Sequence, residues 1–149
     1  MKKITLLFLC FLTGCHRSIS VPDKKPETII SHKISIESSL LKLHNIERIK
    51  RNLPVLLIDK KLNEYAQNHS FKMATDRKLV HSKISVFLKD YNSCGENIAF
   101  GQKTPEEVTK SWMNSRPHKA NILNKQYKFV GFGSYEIEGQ VYWCAVFGS

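Results

Sequence analysis

Between Cys94 and Leu123 the chain has to double back on itself, and the residues that force the turn are local. Gly95-Glu96-Asn97-Ile98-Ala99 opens the stretch, and Glu96 to Phe100 reads as extended. Thr104-Pro105-Glu106-Glu107 is a strong helix start, with threonine at the N-cap, proline at the first helical position and glutamate at the third. Val108, Trp112 and Met113 give that helix an apolar face, and Pro117 stops it, delivering His118 just beyond its end. His81-Ser82, upstream, offers a second imidazole. Two histidines and one glutamate can therefore converge on a shared cleft.

The remaining segments supply the layers around that cleft. Ile36, Leu40, Leu43 and Ile46 recur at spacings of three and four, which predicts a helix from Ile36 to Asn52, ended by Pro54. Asp59 can cap a second helix to about Asp76, with Leu62, Tyr65, Ala66, His69 and Met73 on one face. Val86, Phe87 and Tyr91 suggest a short third helix ending at Asn92. From Tyr127 to Phe147 the period changes: Phe129, Gly131, Gly133, Tyr135 and Ile137 precede a Glu138-Gly139 turn and the run Val141 to Phe147, a β-hairpin. Helices first, a terminal hairpin and one earlier strand imply an α+β layered arrangement. At 149 residues, with 42% hydrophobic and 24% charged residues, one domain with a real core accounts for the length.

The formal charge is +10, and loss of Lys2 and Lys3 with a leader would leave 10 − 2 = +8. The basic residues are spread along the chain rather than gathered in one block, which reads as a solvated basic surface with weak attraction to anionic lipid or polyanions as the alternative. No zinc-finger spacing, RNP-type aromatic motif or helix-turn-helix pattern is present, so no nucleic-acid partner is expected.

Met1-Lys2-Lys3 and the apolar run Ile4 to Leu12 are too short to span a bilayer as a stable helix and read as a cleaved signal. Leu12-Thr13-Gly14-Cys15 resembles the lipobox of bacterial lipoproteins. That resemblance implies a signal peptide over 1–14, acylation of Cys15 after cleavage, and a stable membrane anchor, since each buried CH2 contributes about 0.8 kcal/mol. Polar sequence with Pro22 and Pro26 makes 15–35 the lipidated cysteine and a flexible tether, leaving 36–149 as the domain. His16, where an aspartate often accompanies inner-membrane retention, favours the outer membrane of the cell envelope and a surface-exposed domain.

Five co-linear blocks carry a family likeness. Leu43-His44-Asn45-Ile46-Glu47-Arg48, then Ala66-Gln67 through His81-Ser82, then Gly95-Glu96-Asn97-Ile98-Ala99 resemble successive blocks of the CAP superfamily, which takes in cysteine-rich secretory proteins, antigen 5, plant pathogenesis-related proteins and bacterial SCP-like proteins. Trp112-Met113-Asn114-Ser115 with His118-Lys119-Ala120-Asn121-Ile122-Leu123 is similar to the bacterial form of the next block, and Val130-Gly131-Phe132-Gly133 with Tyr142-Trp143 to Phe147 to the last. The resemblance implies an α-β-α sandwich with a central antiparallel sheet flanked by helices. It also places His81, His118 and Glu96 in the family's cleft. The second acid of that cleft falls where Ser115 stands here, so the site becomes a triad.

Two neutral imidazoles can ligate a divalent metal such as Zn2+ as a weak site, with Glu96 as third ligand, as acceptor for an imidazole N–H, or as base on bound water. The alternative is that the three groups hydrogen-bond across the cleft and fix its loops. Ser82, Asn97, Ser115 and Asn45 are read as supporting the site. Asn45 and Arg48 are also expected to brace loops, His44 to pack, and His69 to lie at the core edge. Trp112 and Trp143 read as core aromatics. Cys94 and Cys144 remain once Cys10 is removed and Cys15 is lipidated, and they are either a disulfide or two buried thiols.

Two functions compete. The favoured one is a monomeric, lipid-anchored binding module whose ligand is a divalent metal, a lipid, or a host or envelope protein. The other is a zinc-dependent, peptidase-like hydrolase with Glu96 as base. No nucleophile elbow, His-Glu-x-x-His helix or serine-lysine motif supports the second.

Overall fold

Val141 to Phe147 is an unbroken apolar run, so the strand it forms cannot have a wet face. In the computed structural model, which describes residues 26–87 and 89–149 and side chains from Ser35 onward, that strand is buried along nearly its whole length. The order of elements is α1 (Pro26–Ile49), β1 (Leu57–Ile58), α2 (Lys60–Asp76), a 3-10 turn (Ile84–Phe87), β2 (Cys94–Phe100), α3 (Pro105–Asn114), α4 (Arg116–Ile122), β3 (Phe129–Ile137) and β4 (Gln140–Gly148). The four strands form one sheet in the order β1-β3-β4-β2. β2, β3 and β4 pair antiparallel, and the short β1 joins β3 in parallel, so the sheet is mixed at that edge.

Side chains of β4 alternate between two cores. Trp143, Ala145 and Phe147 join Leu40, Val108, Trp112 and Ile122 on the face covered by α1, α3 and α4. Tyr142, Cys144 and Val146 join Leu62, Ala66 and Met73 on the face covered by α2. The period of two along the strand thus builds helix, sheet and helix layers, the expected α-β-α sandwich. Gly131 and Gly133 set the spacing on the α2 side. A Cβ there would lie 2.0 Å from the Leu62 carbonyl carbon and 2.2 Å from the Ala66 oxygen. The hairpin turns through Glu138 and Gly139, both at positive φ, as a two-residue loop favours.

Three boundaries differ from expectation. α1 starts at Pro26, not Ile36, so the expected tether is helical over its last part; proline is well tolerated at the first helical position. Cys15 and the leader lie outside the described residues. The third helix is only the 3-10 turn. Pro117 does not merely end a helix: α3 stops at Asn114, Ser115 adopts an extended conformation, and the proline sits in the first turn of α4, carrying His118 inside that helix. Among the described residues no helix is long and apolar enough to cross a membrane.

Candidate functional site

Alternation along β2 aims neighbouring residues at opposite layers. Glu96 points toward α2, and Asn97 toward α4. Their surroundings confirm it. The Glu96 side chain is only 2% exposed. Its Oε1 accepts from His81 Nδ1 at 2.7 Å and from the Ser82 backbone N–H at 2.9 Å. Its Oε2 accepts from the Ser82 hydroxyl, with the Cys144 thiol at 3.8 Å and His69 Nε2 at 3.9 Å. Both oxygens of this buried carboxylate are thus supplied with donors from within the protein.

A carboxylate only accepts, so His81 Nδ1 carries the proton in this pair. The neutral ring then presents the Nε2 lone pair, and the His81 side chain is 61% exposed. Glu96 therefore acts on His81 as the acceptor that sets tautomer and orientation, the second of its three expected roles. Both carboxylate oxygens accept hydrogen bonds from the protein, and the side chain is buried. Among the described residues, no three His, Cys, Asp or Glu side chains are grouped to hold a metal together.

The other imidazole comes from α4. Asn97 Nδ2 donates to the His118 carbonyl at 3.0 Å, and Asn121 Nδ2 donates to the Glu96 carbonyl at 3.1 Å and to Asn97 Oδ1 at 2.8 Å. These bonds dock α4 on the outer edge of β2. Gly95 lets the helix approach: a Cβ there would lie 2.6 Å from the Tyr127 hydroxyl and 2.7 Å from Asn121 Oδ1. Burial lowers the His118 pKa, and His81, whenever that ring is protonated, lowers it further. Both effects favour the neutral, lone-pair-bearing ring that a metal requires.

Several expected residues take other places. Asn45 exchanges two hydrogen bonds with the Leu56 backbone, at 3.0 and 2.8 Å, so it braces the β1 edge and not the cleft. Arg48, fully buried, donates to the carbonyls of Pro54, Ile122, Asn124 and Tyr127 and ties the α1–β1 loop to the end of α4 and the α4–β3 loop, as expected of a brace. Ser115 caps α4 through its backbone carbonyl to the Lys119 N–H, without a side-chain capping bond. Cys94 and Cys144 are free thiols. Cys144 pairs with Ile98, which is 98 − 94 = 4 residues along β2 from Cys94. That is about 13 Å at strand rise, beyond the roughly 7 Å a disulfide can bridge. The disulfide expectation is therefore wrong for this fold.

His69 and Asn121 are the site residues that the sequence does not place in the cleft. The spacing of three from His118 to Asn121 on one helix face carries a signal for the second. Nothing in the sequence ties His69 to the cleft, because α2 meets β2 only through the sheet.

The sequence profile of the cysteine-rich secretory protein family, CAP, matches residues 41–147, a range that includes every residue of this cleft. The chain belongs to the CAP family. This CAP chain is 39% identical over 109 residues to YkwD of Bacillus subtilis, covering 67% of the chain and 42% of YkwD. It is 34% identical over 99 residues to the human Golgi-associated plant pathogenesis-related protein 1, covering 65% of the chain and 58% of that protein. Among solved structures, an extracellular SCP-domain protein of Bacillus anthracis superposes with a TM-score of 0.74 at 25% identity, over 87% of the chain and 45% of that structure. An outer surface protein of Borrelia burgdorferi shares the fold, with a TM-score of 0.69 at 24% identity, over 79% of the chain and 97% of that protein. The chain thus spans less than half of YkwD and of the Bacillus anthracis structure.

Proposed function

We propose that this CAP domain is a binding module displayed at a bacterial cell envelope, held there by an acylated Cys15, and that its cleft takes a divalent transition metal such as Zn2+ through His81 and His118. The observation that carries the metal reading is the His81–Glu96 pair. A buried carboxylate on Nδ1–H leaves the exposed Nε2 as donor, the usual device for orienting a ligating histidine. Burial lowers the pKa of His118 beside it, which favours the neutral ring. Two nitrogen donors without a carboxylate make a weaker site than a closed structural one, with open positions for water or for an atom of an outside ligand. The bound ion would supply Lewis acidity there. Envelope display is supported by the lipobox-like Leu12 to Cys15 and by relatives described as extracellular and as an outer surface protein.

A hydrolase reading asks Glu96 to act as base, and nothing in the geometry favours it. Both oxygens accept hydrogen bonds from within the protein, and the Ser115 side chain forms no hydrogen bond among the described residues. Calorimetric titration with Zn2+ tests the proposal, wild type beside His81→Ala/His118→Ala. Binding to the wild type that disappears in the double variant is expected; equal affinity in the two would remove the ligand assignment.

A further inference from the structure

The two segments that flank the cleft contain no acidic residue. Residues 77–89 run Arg-Lys-Leu-Val-His-Ser-Lys-Ile-Ser-Val-Phe-Leu-Lys, and residues 108–135, which include α4, are likewise free of Asp and Glu. The acids at either end of the first segment are already paired. Asp76 binds Lys72 at 2.7 Å, Asp90 binds Lys61 at 2.6 Å, and Glu138 takes up Arg77 at 2.6 Å. Lys78, Lys83 and Lys89 on the loop, and Arg116 and Lys119 on α4, form no salt bridge among the described residues, so their charge is uncompensated.

The same loop exposes aliphatic side chains. Leu79, Val80 and Val86 are 51%, 53% and 53% exposed. An apolar set interleaved with free lysines suits the boundary between headgroups and acyl chains, where aliphatic groups enter and ammonium groups stay with phosphates. A soluble polyanion would use the lysines and gain nothing from the aliphatic groups. The opposite sheet edge offers a natural contrast. β1, at the other end of the strand order from β2, exposes Leu57 with Val55 just before it, so an indole there reports whether the far edge also meets a bilayer.

We propose that the cleft-side face, formed by the 77–87 loop and α4, docks on an anionic lipid surface, with Leu79, Val80 and Val86 entering it. This proposal is independent of metal binding. It is also separable from acylation, because it concerns which face lies on the bilayer.

The full chain carrying Leu79→Trp, and separately Val55→Trp at the far edge, is mixed with two kinds of vesicle. One contains phosphatidylglycerol in phosphatidylcholine, the other phosphatidylcholine alone, each with brominated acyl chains. Emission is compared with that of the wild type, which carries Trp112 and Trp143. The indole introduced at position 79 is expected to shift to the blue and be quenched in the anionic vesicles only. Adding Lys78→Glu/Lys83→Glu should abolish the response while circular dichroism stays native, and about 1 M salt should weaken it by shrinking the Debye length to about 3 Å. The indole at position 55 should not respond. Equal responses at the two positions, no response at position 79, or a response undiminished in phosphatidylcholine would each overturn the proposal. Lysine-dependent binding of soluble polyphosphate, with no quenching at position 79 by anionic vesicles, would overturn it in favour of a soluble polyanion.

Discussion

His69 Nε2 lies 2.8 Å from the Val80 carbonyl. The carbonyl can only accept, so Nε2 carries the proton, and the bond fastens the loop before His81 to α2. The ring also stacks on Tyr65, with centroids 6.4 Å apart. His69 is thus a positioning residue for His81, acting from the layer beneath the sheet.

His69→Phe should keep the stacking and lose the tether. The expected cost is about 1 kcal/mol of stability for the hydrogen bond, with faster amide exchange concentrated in the 80–83 backbone. At the proposed metal site, Zn2+ affinity should fall without vanishing, because His81 and His118 remain. Uniform exchange across the domain would show that His69 only fills the core.

Much of the fold was legible because its signals are local. The Thr104 cap and Pro105 fixed where α3 begins, and Thr104 indeed accepts from the Glu107 N–H at 3.2 Å. The Glu138-Gly139 turn and flanking apolar runs marked the hairpin. What local pattern could not carry was the reach of one element to another across the sheet. His69 touches the site through Glu96, from a helix whose face otherwise reads as core. Pro117 reads as a stop because proline breaks helix interiors, yet it also starts helices well, and only the extended Ser115 decides between the two. The disulfide expectation failed because spacing in sequence does not reveal register, and register places Cys144 opposite Ile98.

Register also sets thiol reactivity. Burial pushes the Cys144 thiol well up, and the neighbouring Glu96 charge adds to it; burial also raises Cys94, which is only partly covered. Iodoacetamide at neutral pH should leave Cys144 unmodified in the native protein and label Cys94 slowly. In denaturant without reductant, both should be labelled, as peptide mapping would show. A peptide linking the two by a disulfide would contradict the strand pairing.

Close packing of α2 on the sheet depends on hydrogen in place of a methyl group. At Gly133 an added Cβ would meet the Ala66 backbone oxygen at 2.2 Å, a contact with no flexible side chain to yield. Gly133→Ala should destabilise by about 1–3 kcal/mol or more, as overpacking does. Gly139→Ala, at the hairpin tip with nothing within 4 Å, meets no such clash; its positive φ of 71° makes strain the only cost. Chemical denaturation of the two variants should therefore separate packing from conformational strain, with Gly133→Ala the less stable.

Acid should weaken the fold through His44. Its ring is fully buried among Trp112, Phe132 and Phe147, with Nδ1 donating to the Leu40 carbonyl at 2.9 Å and Nε2 buried without a partner among the described residues. Burial lowers its pKa from 6.5 to about 4, the Leu40 bond opposes that, and the Arg48 charge adds to it. The folded state binds this proton less readily than the unfolded chain. Stability is therefore unaffected above about pH 6.5 and falls as pH drops toward 4, by about 3 kcal/mol at 1.36 kcal/mol for each pH unit between the two values. The depressed His118 contributes with the same sign. Urea denaturation of wild type and His44→Leu between pH 7 and 4 checks the assignment. The leucine variant should lose most of the slope over that interval, and an unchanged slope would place the acid sensitivity elsewhere in the protein.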